Sequence, residues 1–306
     1  MAEMMKLTAR RLQRARLCYG HGTDNPADEA ASLVFHAADY AHEDAPAAYQ
    51  WPLSPEACER LESLVARRIT ERIPAPYLTG RVWFAGLEMR VDSRVLVPRS
   101  PLAEFIVARG EPFLRPGPVR RVLDLGTGSG CIAIAAAYAF PNARVDASDV
   151  SLDALAVAAQ NVAQHGLQKR LQLVHSDVYR ALGKHRYDMI LSNPPYVPEA
   201  IVDALPAEYA HEPRGGLVAG QDGLTIVRDI LAGAAERLHP QGLLVVEVGD
   251  SDVRVQETWP DVPFLWLEFA NGGGGVFLLT REDLIEYADA LSRPSRSHTK
   301  DSYSVR

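Results

Sequence analysis

The spacing of apolar residues changes near residue 73 and divides the chain into two parts. Before that point apolar residues recur at helical spacing, most clearly at Cys58, Leu61, Leu64, Val65 and Ile69. Asp24 or Asn25 before Pro26, and Ser54 before Pro55, are typical helix starts, because a side-chain oxygen caps the first turn and proline fits its first position. The first part therefore predicts a small helical module.

The second part begins with two short strand-like runs, Arg81 to Ala85 and Leu87 to Val91, around Gly86, which predict a β-hairpin. Ser100-Pro101 predicts a helix that continues to about Leu114. From Arg121 onward, apolar runs of strand length, including one from Leu243 to Val248, alternate with longer helix-favouring stretches. The glycines 272–275 predict a tight turn between the last two strands. This alternation predicts an α/β domain with a mostly parallel sheet.

A glycine-rich turn from Gly126 to Gly130 follows the first strand of that domain and precedes an apolar helical stretch, Cys131 to Phe140. Glycines in this context indicate nucleotide binding, because they let the backbone approach the ligand, although a dinucleotide fingerprint has its third glycine one position later. The next predicted strand ends in Asp149, about 20 residues beyond the turn, where a carboxylate can bond both ribose hydroxyls. Ser151 remains to cap the following helix.

The tetrapeptide Asn193-Pro194-Pro195-Tyr196 ends the apolar run that begins at Tyr187. Proline cannot donate to a β-ladder, so the tetrapeptide lies at the carboxyl end of a strand, where open α/β sheets bind ligands. Asn193 offers a side-chain carbonyl, the prolines a rigidly held backbone carbonyl, and Tyr196 a flat face. This set suits a planar NH₂ group; for the tetrapeptide alone, an ordinary strand-ending turn is the alternative interpretation.

The two motifs together resemble those of S-adenosylmethionine-dependent methyltransferases of the Rossmann-like class. The resemblance implies that the cofactor is S-adenosylmethionine and that it contacts Gly126, Thr127, Gly128, Ser129, Gly130, Asp149, Asp177, Val178 and Asn193. Asp177 and Val178 would touch the adenine; a plain turn residue is the alternative for Asp177. Within that class, the tetrapeptide is similar to the motif of enzymes that methylate amino nitrogens, which implies catalytic roles for Asn193, Pro194, Pro195 and Tyr196.

A narrower resemblance begins at Val97-Pro98-Arg99, which is similar to the segment that precedes the catalytic domain of protein-glutamine methyltransferases. Members that act on release factors typically continue with Pro-Glu-Thr-Glu, whereas this chain continues with Ser100-Pro101-Leu102-Ala103-Glu104. That form resembles the branch that methylates a glutamine in the third protein of the large ribosomal subunit. The similarity extends from about Tyr77 to Thr280 and implies methylation of a glutamine amide nitrogen.

Three other functions stay open as alternatives: methylation of a release factor, methylation of an adenine amino group in nucleic acid, and cofactor binding by a ribosome-assembly factor without turnover. The formal net charge of −7 argues against bulk nucleic-acid binding. Local arginine clusters still allow a contact with ribosomal RNA, or are merely solvated helix faces. They comprise Arg10, Arg11, Arg14 and Arg16, and then Arg67, Arg68 and Arg72.

The three cysteines and nine histidines have neither disulfide nor metal-site spacing, so no metal is expected. The chain has no apolar run long enough for a membrane span and no secretion signal, so we expect a cytoplasmic protein that does not bind membranes. The expected partner is a large-subunit ribosomal protein, either free or in an assembly intermediate.

Four segments are predicted from these patterns. Residues 1–76 form a helical substrate-recognition domain, residues 77–98 a β-hairpin linker, residues 99–291 a Rossmann-like methyltransferase domain, and residues 292–306 a disordered tail. Residues 197–222 form a loop that is long for a compact domain, and we expect it to cover the substrate.

Overall fold

The computed structural model describes residues 1–40, 45–115 and 117–292; apart from Ser292, the predicted disordered tail lies outside the described residues. Helices make up the amino-terminal region: α1 (Ala2–Arg14), α2 (Pro26–Ala38), α3 (Ala45–Ala48), α4 (Pro55–Thr70) and α5 (Ala75–Thr79). Asn25 caps α2 and Ser54 caps α4 through their side-chain oxygens, as predicted. Leu61 and Val65 of the predicted apolar stripe are buried in one cluster with Leu12 and Leu33. The stripe is thus a packing surface between helices.

The predicted hairpin is confirmed as β1 (Arg81–Phe84) and β2 (Leu87–Arg90), which pair antiparallel. Ala85 and Gly86 form its turn with φ of 51° and 77°, a region in which glycine is unstrained. Helix α5 crosses the expected boundary between residues 76 and 77, and the domain bounds themselves stay predictions.

The remaining elements alternate as expected. They are α6 (Leu102–Val107), β3 (Arg121–Leu125), α7 (Cys131–Ala139), β4 (Arg144–Asp149), α8 (Leu152–Gln164), β5 (Leu171–His175), β6 (Tyr187–Ser192), α9 (Glu199–Val202), α10 (Thr225–Arg237), β7 (Leu238–Glu247), α11 (Asp252–Thr258), β8 (Leu265–Trp266), β9 (Val276–Thr280), α12 (Arg281–Glu286) and α13 (Ala288–Leu291). The sheet has the order β5-β4-β3-β6-β7-β9-β8.

Strands β3 to β7 pair in parallel, and β9 runs antiparallel to β7 and β8. The predicted α/β, mostly parallel sheet is therefore confirmed. From β3 the chain builds outward to β4 and β5 on one side, and then returns to add β6 and β7 on the other. Such a reversal opens a crevice at the carboxyl ends of the two central strands, the usual place for a ligand in open α/β sheets.

Apolar side chains cover both faces of the sheet. Val122 of β3 faces a cluster that includes α7 and the hairpin, whereas its neighbour Leu123 faces a cluster that includes α10 and Trp259. Residues Cys131 to Ala137 of α7 are all buried, which explains the lack of a polar face in that stretch of sequence. In the described part of the chain, no helix has the length and apolar character needed to cross a bilayer.

The structure corrects two predicted boundaries. Helix α6 ends at Val107 instead of Leu114, because Arg109 and Gly110 adopt positive φ and the Gly110 N–H bonds the Phe105 carbonyl. Strand β7 begins at Leu238 instead of Leu243, and its pairing with β6 contains an irregularity between Tyr187 and Met189. The glycines 272–275 connect β8 to β9, as expected.

Arg68 corrects the expectation of a basic surface on α4. Its side chain is fully buried, with Nε 2.8 Å from the Glu29 carboxylate, Nη1 3.2 Å from that of Glu208, and Nη2 2.8 Å from the Cys18 carbonyl. Arg68 therefore joins the amino-terminal helices to the loop that follows β6.

Arg68→Ala should lower the free energy of unfolding by about 3 to 5 kcal/mol, because the Glu29 carboxylate would stay buried without a cation and Glu208 would keep only its contact with Arg72. Arg67→Ala is the matched control, since Arg67 pairs with Glu71 at the surface and its loss should change stability by about 0.5 kcal/mol. Urea unfolding of both variants measures the difference. Equal, small losses would mean that the buried pairs do not hold the two parts together.

Candidate active site

A cavity of about 380 Å³ lies at the carboxyl ends of β3, β4 and β6. Most of the residues predicted for cofactor and substrate line it: Gly126, Thr127, Gly128, Ser129, Asp149, Asp177, Val178, Asn193, Pro194 and Pro195. Two of the predicted residues, Gly130 and Tyr196, are not part of its lining. Within the described ranges, no group of His, Cys, Asp and Glu is arranged to hold a metal ion.

The glycine loop takes its shape from three left-handed residues: Gly126, Gly128 and Gly130 have φ of 69°, 54° and 83°. The Thr127 N–H donates to the Ser148 carbonyl over 2.9 Å and holds the loop against β4. Gly130 begins α7, and a Cβ there would lie 3.3 Å from the Cβ of Ala158. Gly130 thus allows close packing of α7 on α8 instead of facing the cavity.

Asp124, which we did not select from the sequence, supports this loop from below. Its carboxylate accepts from the Thr127 hydroxyl at 2.5 Å and from the Ala133 N–H at 3.1 Å. Burial raises the pKa of Asp124 to about 7. The sequence did contain a sign of this role: Asp124 is an acidic residue inside an apolar strand. Burying such a residue without a specific partner destabilises the protein.

Asp149 occupies the end of β4, next to the glycine loop. One carboxylate oxygen accepts from the Gly128 N–H at 2.9 Å and the other from the Ser151 N–H at 2.8 Å. Burial raises the pKa of Asp149, while these N–H donors oppose the shift. An ionised carboxylate has about four acceptor positions, so two remain for hydroxyl groups of a ligand. Ser151 caps α8, as predicted.

Asp177 and Val178 lie beyond β5 and line the same cavity. The Asp177 carboxylate pairs with the Arg180 guanidinium at 2.5 Å, and the Ser176 hydroxyl donates to the Val178 carbonyl at 2.9 Å. Val178 has a φ of 45°, unusual for a β-branched residue, which shows that the surrounding contacts hold this turn. The turn therefore has one defined shape beside the cavity.

Asn193 follows β6 directly, and the Ser192 hydroxyl fixes that strand end by donating to the Leu125 carbonyl of β3 over 2.8 Å. The Asn193 Oδ1 atom is buried and has no hydrogen-bond donor among the described residues, although the residue lines the cavity. A buried acceptor without a donor destabilises the protein by about 1 to 3 kcal/mol. The site is thus suited to a ligand that brings an N–H group.

Tyr196 lies beside the cavity. Its hydroxyl donates to Glu247 over 3.3 Å, and its ring packs so closely on Gly249 that a Cβ there would lie 2.7 Å from Cε2. The Ser251 hydroxyl donates to the Tyr196 carbonyl at 3.0 Å. In this conformation the ring braces the tetrapeptide from outside, instead of offering its face to the cavity as expected from the sequence.

Glu247, at the end of β7, is a second residue that sequence reasoning missed. The residue is 5% exposed, and its carboxylate accepts from the hydroxyls of both Ser100 and Tyr196. Burial raises its pKa to about 7. As with Asp124, the sequence feature that could have identified Glu247 is a single acidic residue in an apolar strand. Ser100, which distinguishes this chain within the resemblance described above, is therefore linked through Glu247 to the tetrapeptide.

The loop after β6 lines the cavity through Pro213, Gly215, Gly216 and Val218. Glu212 anchors this loop. Its buried carboxylate accepts hydrogen bonds from both Nη atoms of Arg99, at 2.6 and 2.7 Å, and from the Val97 N–H at 3.1 Å.

The imidazole of His21 in the amino-terminal region lies 3.7 Å from the same carboxylate, and burial lowers the pKa of His21 to about 4, so that the ring is neutral. The ion pair of Glu208 with Arg68, and the 2.8 Å bond from the His211 ring to the Glu71 carbonyl, fix the loop to the amino-terminal helices.

Two family models match the chain. One, described as the methyltransferase small domain, matches residues 112–206, and the other, described as the PrmC N-terminal domain, matches residues 3–80. The first range contains the strands that carry the glycine loop, Asp149 and Asn193, and the second contains all but the first residue of α1 and the whole of α2 to α5.

Relatives that carry the name ribosomal protein uL3 glutamine methyltransferase match over nearly the whole chain. The protein from Xylella fastidiosa strain Temecula1 is 46% identical over 290 residues, 95% of this chain and 93% of the relative. That from Bordetella pertussis strain Tohama I is 46% identical over 283 residues, 92% of this chain and 95% of the relative. That from Xanthomonas campestris pv. campestris is 45% identical, with 95% and 94% coverage.

The buried carboxyl of Glu247 predicts a pH-dependent stability. Its pKa rises from 4.5 in the unfolded chain to about 7 in the folded protein, so its favourable contribution is present below pH 4.5 and lost as the pH rises through 7. Relative to Glu247→Gln, the wild-type protein should therefore lose about 3 kcal/mol of unfolding free energy between about pH 4 and pH 8.

Urea unfolding of both proteins across this pH range measures that difference, and the titration of Asp124 cancels because both proteins contain it. Parallel stability curves would contradict the assigned pKa.

Proposed function

The chain belongs to the family of ribosomal protein uL3 glutamine methyltransferases, and we propose how its site methylates the side-chain amide nitrogen of a glutamine in that ribosomal protein. The observation that carries the proposal is the buried, unpartnered Asn193 Oδ1, in a cavity that also contains the glycine loop and Asp149. One part of the cavity is suited to a cofactor and the other to an NH₂ group.

The methyl donor is S-adenosylmethionine, which supplies an electrophilic methyl group on a sulfonium sulfur when it is bound. Gly126 to Ser129 would hold it close to the backbone, and the two free acceptor positions of Asp149 fit a pair of ribose hydroxyls. Asp177 and Val178, on the same cavity wall, would contact the adenine. The residues present therefore fit this cofactor.

Asn193 and Pro194 would orient the substrate amide. Its nitrogen is a poor nucleophile, because its lone pair is delocalised into the carbonyl. Donation of the two N–H groups to the Asn193 side-chain oxygen and the Pro194 backbone oxygen fixes the nitrogen, and both acceptors stabilise positive charge that develops on it. Methylation makes the nitrogen acidic, so a proton leaves afterwards and no base is needed before attack.

Tyr196 and Glu247 keep these acceptors in place. The bond between their side chains and the packing of the ring on Gly249 restrict the backbone that follows Asn193 and Pro194. Pro195 adds the rigidity of a fixed φ. Pre-organised acceptors stabilise developing charge more effectively than acceptors that must first reorient.

The amino-terminal helices and the loop after β6 would recognise the ribosomal protein. The loop lines the cavity and is bonded to those helices through Glu208 and His211, so a substrate surface that binds the helices is placed beside the catalytic cavity. The substrate is the free ribosomal protein or an assembly intermediate, and we place the reaction in the cytoplasm.

Transfer of labelled methyl from S-adenosylmethionine tests the function directly. We expect the label in one glutamine of uL3, located by peptide mapping after incubation with free uL3, large subunits or assembled ribosomes. Comparison of the three substrates identifies the one that is used. Label in nucleic acid alone, or in a release factor alone, would overturn the substrate assignment.

Asp149→Ala should weaken S-adenosylmethionine binding while leaving the protein folded, because it removes charge-assisted bonds worth about 1.5 to 3 kcal/mol each. Calorimetry should show an increase in Kd of about 10-fold or more. Asp153→Ala, an exposed change in the first turn of α8, is the control and should bind normally. Unchanged affinity in Asp149→Ala would remove this residue from the cofactor site.

Asn193→Ala should leave cofactor affinity nearly unchanged and slow methyl transfer by about a hundredfold to a thousandfold, if one oriented acceptor contributes about 2.7 to 4 kcal/mol. Asn142→Ala, an exposed change between α7 and β4, serves as control. Single-turnover rates and cofactor affinities of both variants separate the two roles. Near-normal transfer would exclude a catalytic part for Asn193, and equal losses would mean that it chiefly holds the cofactor.

A further inference from the structure

Basic side chains from distant parts of the sequence converge at the amino ends of the parallel strands, at the edge opposite the catalytic cavity. They line an open recess of about 430 Å³, here called the basic recess: Arg120, Arg121, Arg144, Lys184, His185, Arg186 and His239. Arg144 begins β4, Arg120 and Arg186 immediately precede β3 and β6, and His239 is the second residue of β7. Parallel pairing alone brings these positions together.

Most of the positive charges in the recess are not neutralised from within the protein. Arg121 pairs with Asp146 at 3.1 Å, and Asp188 accepts backbone N–H groups of Arg120 and Arg121 at 2.7 and 2.9 Å. Among the described residues, no carboxylate pairs with the exposed side chains of Arg120, Arg144, Lys184 or Arg186. Four unpaired cations in one place are notable in a chain of net charge −7.

Two arginines of the basic recess also repel each other across neighbouring strands. Arg121 and Arg144 are direct register partners on β3 and β4, and like charges directly opposite one another destabilise a sheet. In the clusters near the amino terminus, Arg11, Arg67 and Arg68 each have a carboxylate partner, whereas Arg10, Arg14 and Arg16 have none among the described residues. A bound polyanion would remove the repulsion at the recess.

The chemistry of the lining identifies the kind of anion. The recess is open, and its lining side chains are arginine, lysine and histidine, so it lacks the apolar walls that bury a small molecule. Arginine and lysine side chains bind the phosphate groups of a nucleic acid whatever its base sequence, when no other side chain contacts the base edges. The lining therefore suits a nucleic-acid backbone.

We propose that the basic recess binds the phosphate backbone of RNA while the catalytic cavity holds the glutamine. The choice of RNA rests on the proposed function, since a ribosomal protein is the substrate and ribosomal RNA is its natural neighbour. Strands of five or six residues at about 3.3 Å each separate the two edges of the sheet by roughly 20 Å, so both sites can be occupied at once. RNA bound at the recess would bring the enzyme to its substrate.

Two variants that each lose four positive charges test the proposal. The recess variant carries Arg120→Gln, Arg144→Gln, Lys184→Gln and Arg186→Gln. The control variant carries Lys6→Gln, Arg10→Gln, Arg14→Gln and Arg16→Gln, all at exposed positions of the amino-terminal region. Fluorescence anisotropy with a labelled RNA hairpin of mixed sequence, measured over a series of KCl concentrations, gives affinity and its salt dependence.

We expect the recess variant to bind the hairpin more weakly, with the slope of log affinity against log salt smaller by about 3, as expected for the loss of four phosphate contacts. The control variant should keep the wild-type slope. Should the fourfold recess variant fail to fold, Lys184→Gln with Arg186→Gln, in the exposed loop before β6, should reduce the slope by about half as much.

An unchanged slope in the recess variant, or an equal loss in the control variant, would overturn the proposal. Competition by polyglutamate as strong as that by RNA would also overturn it, in favour of an acidic protein partner. Methyl transfer to free uL3 should be normal in the recess variant. If the wild-type protein itself transfers no methyl group to uL3, the proposed function fails, whereas RNA binding remains separately measurable.

Discussion

The parallel pairing of β3 with β6 is the constraint on which the rest of the site depends. It places Leu125 opposite Ser192, and the Ser192 hydroxyl then joins the two strand ends. The glycine loop and Asn193 follow directly, so residues almost 70 positions apart in the sequence share one cavity. A slip of the register by one residue would turn every following side chain to the opposite face of the sheet.

Buried carboxylates hold the parts around that cavity. Asp124 shapes the glycine loop, Glu247 links Ser100 to Tyr196, Glu212 binds Arg99, and Glu208 binds Arg68. Each lies where one element of the fold meets another. A buried carboxylate is tolerated only with well-placed donors, which gives these contacts specificity for one arrangement even where their net contribution to stability is small.

The two edges of the sheet differ in charge as well as in shape. At the carboxyl edge, Asp149 and the glycine loop create a cavity with unused acceptors, and Asn193 adds a further one. At the amino edge, the basic recess presents unpaired cations to solvent. The overall acidic balance conceals this separation, because net charge carries no information about which residues become neighbours.

Local sequence determined the features that depend on neighbours along the chain. Helix caps at Asn25 and Ser54, the turn at Gly86, the strand that ends just before Asn193 and the left-handed glycines before α7 follow from backbone preferences and apolar periodicity, which act over a few residues. For the same reason, the candidate cofactor and substrate motifs could be identified before any fold was known.

Only the tertiary structure decided what depends on distant neighbours. It buried Arg68, which sequence placed in a surface cluster, and assembled the basic recess from residues 120 to 239. It turned Tyr196 toward Glu247 and gave Glu247 its raised pKa. The physical reason is that burial and charge pairing depend on distances across the sheet, and those distances are set by strand order and register rather than by the residues next in the chain.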